Sequence, residues 1–185
     1  TAVSTANFGG VFSIASSSYG ADGAGTPPDL TYALGFAAGF TEGSASGLAS
    51  NGAPINLWQL ADGTIVGATG GSEPASATAA TVVFSIAVDA DTGVVTLTQR
   101  QEIDHDDNND TSAPYDDQFA VLASNLVTLT ASATIVDGDF DEASDSETID
   151  LGGNIRFADD GPAVDVAKGA DTGVVLTTYD ANTDG

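Results

Sequence analysis

Carboxylates set at alternate positions in short polar segments are the residues of this chain best equipped for chemistry. The run Asp137-Gly138-Asp139-Phe140-Asp141, followed by Glu142, Asp145 and Glu147, places acids at the first, third and fifth positions. Hard cations such as calcium take roughly six to eight oxygen ligands, and this spacing lets one loop fold several carboxylates around one ion. The glycine and terminal glutamate of a helix–loop–helix calcium site are out of place, so the segment reads as a calcium loop without flanking helices.

A second concentration runs Asp104-His105-Asp106-Asp107-Asn108-Asn109-Asp110 and continues, beyond Pro114, as Tyr115-Asp116-Asp117-Gln118. Asp104, Asp106, Asp107, Asp110, Asp116 and Asp117 crowd like charge into a single connection, which costs energy unless a cation gathers it. An ion held there with open positions could exchange water for a ligand carboxylate while Asn108, Asn109, Tyr115 and Gln118 orient the ligand. His105 reads as a structural hydrogen-bonding residue. A third acidic pair, Asp159-Asp160, precedes Gly161-Pro162 and is placed to stiffen an exit from the domain. Asp89 and Asp91 belong to Asp-x-Asp-Thr-Gly, which an ordinary hairpin turn would use without any metal. Together these segments predict several bound Ca2+ ions.

Other chemistries lack their residues. With one histidine and no cysteine, no nucleophile and base pair suggests itself, and neither a Gly-x-Ser-x-Gly elbow nor a phosphate-binding glycine loop is present. The expectation is that the chain is not an enzyme. Acidic residues number 27 against 3 basic ones, a formal charge of −24, which argues against nucleic acid and anionic membranes as partners and makes a compact chain costly unless cations bind. Five of the acids, Asp22, Asp29, Glu42, Asp62 and Glu73, lie before Asp89; the other 22 follow from Asp89 onward, mostly in tight clusters between apolar runs. No apolar run has the length of a transmembrane helix, so no direct membrane insertion is expected.

The elements that must position these loops are strands. Apolar residues recur with period two in Thr81–Val88, where Val82, Phe84, Ile86 and Val88 are predicted to share a face, and again in Val94–Arg100; Asp89–Gly93 joins them as a hairpin turn. Leu126–Val136 is the longest run, with Val127, Leu129, Ala131, Ala133 and Ile135 on one side and mainly Thr and Ser on the other. Val11–Ala15, Thr31–Phe36, Ile55–Leu60, Thr64–Ala68, Glu147–Leu151 and Asn154–Phe157 are further predicted strands, while Ser44–Gly52 and Gly67–Ala80 read as loops. The pattern predicts an all-β, antiparallel, calcium-stabilised β-sandwich over residues 1–162, with Trp58 and several Phe in its interior. Residues 163–185 read as a linker or the start of a following module.

Read in order, Gly20-Ala21-Asp22-Gly23-Ala24-Gly25, Ser46-Gly47-Leu48, the Val88–Thr98 hairpin, His105, Leu122–Val127 and Phe157-Ala158-Asp159-Asp160-Gly161-Pro162 resemble the long domain repeated in giant RTX adhesins exported by type I secretion. The resemblance spans about residues 8–162. It implies a calcium-loaded β-sandwich outside the cell, tethered to the outer membrane of a bacterium through the parent adhesin and flanked by neighbouring adhesin modules. The segment Asp106–Gln118 is longer and richer in Asp than the stretch that follows the family's histidine. Some domains near the tip of such adhesins bind peptides through a calcium ion. The resemblance therefore implies calcium-dependent recognition of a peptide or protein C-terminus on another cell surface. A passive extender of the adhesin fibre, or calcium-dependent glycan binding, is the alternative.

Overall fold

The computed structural model describes residues 1–105, 118–159 and 164–167. Twelve strands form in chain order: β1 (Ala2–Asn7), β2 (Ala24–Thr26), β3 (Leu30–Phe36), β4 (Ala45–Ser50), β5 (Ala53–Gln59), β6 (Ile65–Thr69), β7 (Val82–Val88), β8 (Val94–Gln99), β9 (Phe119–Val121), β10 (Val127–Asp137), β11 (Glu142–Asp150) and β12 (Arg156–Ala158). A six-stranded antiparallel sheet runs β1-β8-β7-β6-β5-β4. In the second sheet β11 pairs with β10, whose other edge is shared by β3 and β2. β9 and β12 make a small separate pair. The fold is an antiparallel β-sandwich.

One core joins the two large sheets. Leu34 of β3 and Val127, Leu129 and Ala131 of β10 meet Ile55, Leu57, Ile65, Phe84 and Ile86 of the larger sheet, and Phe157 of β12 closes one side with its ring 5.0 Å from that of Phe84. Alternation along a strand carries every second side chain to this interior. In β7 the alternation is interrupted. The register shifts between Gly67↔Phe84 and Ala68↔Val82, and this bulge turns Val82 to the outside while Val83 stays in the core. Val82, Val66 and Ala68 form a second, smaller cluster with Trp58 packed against it. Trp58 is therefore half-buried on the outer face, and the buried aromatics of the main core among the described residues are Tyr32, Phe84 and Phe157. Gly67 faces Phe84 across the strands, and a Cβ there would collide with the ring.

Two sequence expectations fail for reasons of pairing. Val11–Ala15 is not a strand: a 3-10 turn over Gly9–Val11 leads into an extended strap that finds no sheet edge but tucks Phe12 against Tyr32, ring centroids 5.9 Å apart. Ser44–Gly52 is not a loop, because β4 occupies most of it. Its small residues suit a close edge, and the buried Ser46 hydroxyl donates to the Ile55 carbonyl at 2.8 Å. β11 also begins five residues before the expected Glu147–Leu151 strand, at Glu142.

Candidate metal centre

β10 is eleven residues long and outruns the core, so its last residues are held by β2 instead of β3. That extension brings the β10–β11 turn against the turn that precedes β2. Gly138 N–H donates to the Gly23 carbonyl at 3.0 Å, and a Cβ on Gly138 would collide with the Asp22 carbonyl, so the close approach requires glycine.

Asp137 organises the turn. Its Oδ1 accepts the N–H of Asp141 at 2.9 Å and of Asp139 at 3.3 Å, and the Asp137 and Asp141 main chains are joined at 3.1 Å. The turn holds Phe140 at φ +73, in the left-handed region, with its ring 84% exposed. Carboxylate oxygens of Asp22, Asp137 and Asp139 lie within 4.8 Å of one another. A side-chain hydrogen bond with Asp139, then the Asp141 N–H, hold the Asp137 carboxyl below its ordinary value. Acids close enough to hydrogen-bond to each other are the arrangement a divalent cation relieves, since it replaces like-charge repulsion by coordination. Three carboxylates supply up to about six oxygens when bidentate, and carbonyls or water complete a calcium shell.

The one-three-five spacing thus contributes Asp137 and Asp139, and Asp22, far earlier in the chain, supplies the third acid. Asp141 contributes its N–H to the turn and its carboxylate stands outside the trio. Asp145 and Glu147 lie along β11, opposite Ala133 and Ala131. In the sequence Asp22 stands only as an isolated early acid within the Gly20–Gly25 segment.

The second predicted site is only partly described. Asp106, Asp107, Asn108, Asn109, Asp110, Tyr115, Asp116 and Asp117 lie outside the described residues, as does Asp160. Asp104 staples the β4–β5 hairpin: Oδ1 accepts Asn51 N–H and Oδ2 accepts Gly52 N–H, each at 2.8 Å, across a turn whose two residues have positive φ. His105 Nε2 lies 2.9 Å from the Phe157 carbonyl and its Nδ1 3.7 Å from the Asp159 carboxylate. Asp159 N–H donates to the Gln118 carbonyl at 3.0 Å. A cavity of about 410 Å³ opens beside these residues, walled by Gly47–Ala49, Asp104, His105 and the Gln118–Val121 segment.

Several remaining acids also serve turns. Asp89 Oδ1 accepts from Asp91 N–H, Thr92 N–H and the Thr92 hydroxyl, and the Thr92 hydroxyl is the main cause of its lowered pKa. Asp62 does the same for Thr64, whose N–H is the leading cause of its lowered value. Asp150 accepts the N–H groups of Asn125 and Gly152.

The family model of DUF5801, a domain of unknown function, matches residues 1–152. The chain belongs to that family. The DUF5801 match takes in β1 to β11 and the whole Asp22–Asp137–Asp139 trio, and ends before β12. No curated protein and no solved structure matches the chain. No helix among the described residues is long and apolar enough to cross a membrane.

Proposed function

We propose that this DUF5801 domain is a calcium-stabilised module of an extracellular bacterial adhesin, in which the ion clips the Asp22 turn to the β10–β11 hairpin. The convergence of Asp22, Asp137 and Asp139 carries the reading. A formal charge of −24 supports it, because a cation at the trio relieves repulsion where it is most concentrated among the described residues. The resemblance of the sequence to repeated RTX adhesin domains supplies the setting: outside the cell, in series with other modules.

An ion that binds only the folded state stabilises it by about 2.7 kcal/mol at a concentration 100-fold above its Kd. The test is thermal unfolding in calcium and in chelator, for the wild type and for Asp22→Asn and Asp137→Asn. The expected result is a marked fall in Tm on chelation in the wild type and a much smaller one in both variants. An unchanged wild-type Tm would refute the reading.

A second reading, recognition of a peptide or protein C-terminus, is favoured by the cavity at Asp104, His105 and Gln118. Both Asp104 oxygens already accept N–H groups of the hairpin. Calorimetry with free and amidated peptides in calcium separates the readings. Equal binding of both peptide forms excludes the carboxylate mechanism, and a glycan array distinguishes a sugar ligand.

A further inference from the structure

β11 pairs with β10 along one edge only, and among the described residues no strand meets its other edge. The nine residues of β11 keep unbroken register with β10 and include neither proline nor lysine. Such an edge offers a row of free N–H and C=O groups on which an extended segment can add as a further strand.

The inner face of the same strand is unusual. Glu147 stands opposite Ala131, Asp145 opposite Ala133, and Ala143 opposite Ile135, so both carboxylates share a face with side chains of the sandwich interior. At this end of β10 the strap Val11–Ser18 overhangs the sheet and leaves a groove of about 710 Å³, lined on its apolar side by Phe12, Ile14, Leu30, Ala133 and Ile135 and on its polar side by Asp145 and Glu147. Serines of the strap and of β11 also line the groove, so apolar and polar side chains share its walls and the two carboxylates are its charged groups.

We infer that the β11 edge and this groove take an extended basic segment of a partner protein as an added strand. Two of its cationic side chains face Asp145 and Glu147, and apolar ones face Ala143 and Ile149. Charge decides the occupant. β11 carries Glu142, Asp145, Glu147 and Asp150, and the whole chain has 3 basic residues against 27 acidic ones. A second copy would therefore set like charges against each other, whereas a basic strand forms opposite-charge pairs directly across the ladder. The inward acids discourage self-pairing and select for cations. The inference is independent of the calcium reading, since it uses neither the trio nor a metal.

The experiment is an NMR titration of the full chain, in calcium and at physiological salt, with the acetylated and amidated peptide Val-Thr-Lys-Thr-Lys-Thr-Val. Saturable shifts confined to the Glu142–Asp150 amides and the groove are expected. Affinity should fall about tenfold in the isosteric double variant Asp145→Asn/Glu147→Gln, whose exposed sites leave the core untouched. N-methylation of alternate peptide nitrogens should abolish binding in one phase and spare it in the other, which mere attraction to an acidic surface would not do. Equal binding by a shuffled peptide with adjacent lysines, shifts away from β11, or no binding would each overturn the proposal.

Discussion

At the scale of single residues, aspartate stands in two different settings in this chain. Asp104 shows the first: its two oxygens cap two N–H groups of the β4–β5 turn, where positive φ leaves those donors pointing together. Asp104→Ala should cost about 1–2 kcal/mol by urea denaturation, the sum of two modest hydrogen bonds. The loss should be equal in calcium and chelator, because the role needs no ion. Asp22, Asp137 and Asp139 form the second setting, a convergence of three carboxylates; on the proposed reading, substitution there should alter the calcium dependence. Titration provides a further check. Asp62, Asp89 and Asp137 have folded pKa values below the ordinary 3.8, so the stability they contribute is fully present above that value and is lost as pH falls through the folded values. Asp89→Asn keeps the Oδ1 acceptor and removes the titration. Comparative urea denaturation at neutral pH and at about pH 3 should show a smaller acid loss in the variant than in wild type. The alternating Asp137-x-Asp139 pattern was legible in sequence; the role of Asp104 was not, since a turn staple and a metal ligand use the same side chain.

At the scale of elements, the strands with period-two apolar residues stood where expected: β3, β5, β6, β7, β8 and β10 all lie within one or two residues of their predicted bounds. β1, β2, β4 and β9 escaped notice because their side chains are small or exposed, and it is a neighbour's edge that makes them strands. The bulge in β7 was equally silent, as it is a property of the β6–β7 pairing. Gly67 and Phe84 test that pairing. Phe84 is fully buried, so Phe84→Ala should cost about 3–5 kcal/mol. Gly67→Ala drives a methyl into the ring and should cost about 1–3 kcal/mol. Combined with Phe84→Leu, it should cost less than the two single losses added, because the smaller side chain vacates the contested space. Denaturation midpoints of Gly67→Ala, Phe84→Leu and the double variant measure this.

At the scale of the whole molecule, a charge of −24 on the chain acts against compactness, and simple salt and calcium should answer it differently. Sodium chloride screens repulsion between exposed charges beyond about 10 Å at 0.1 M but supplies no centre for the trio's oxygens. Added to chelated protein, it should restore only a small part of the Tm that calcium restores, as read by circular dichroism. By itself, the amino-acid sequence determined the all-β class, the β7–β8 hairpin, the long central strand and a loop that begins at Asp137, because apolar period and turn chemistry act between residues close in the chain. Tertiary structure alone decided that Asp22 joins Asp137 and Asp139, that Asp104 serves a turn, and that among the described residues β11 meets no strand on its outer edge, beside a groove. Those outcomes depend on which strands pair and in what register. Pairing is set by how the whole interior is filled around Phe84, Leu129 and Phe157, and no local stretch of sequence carries that information.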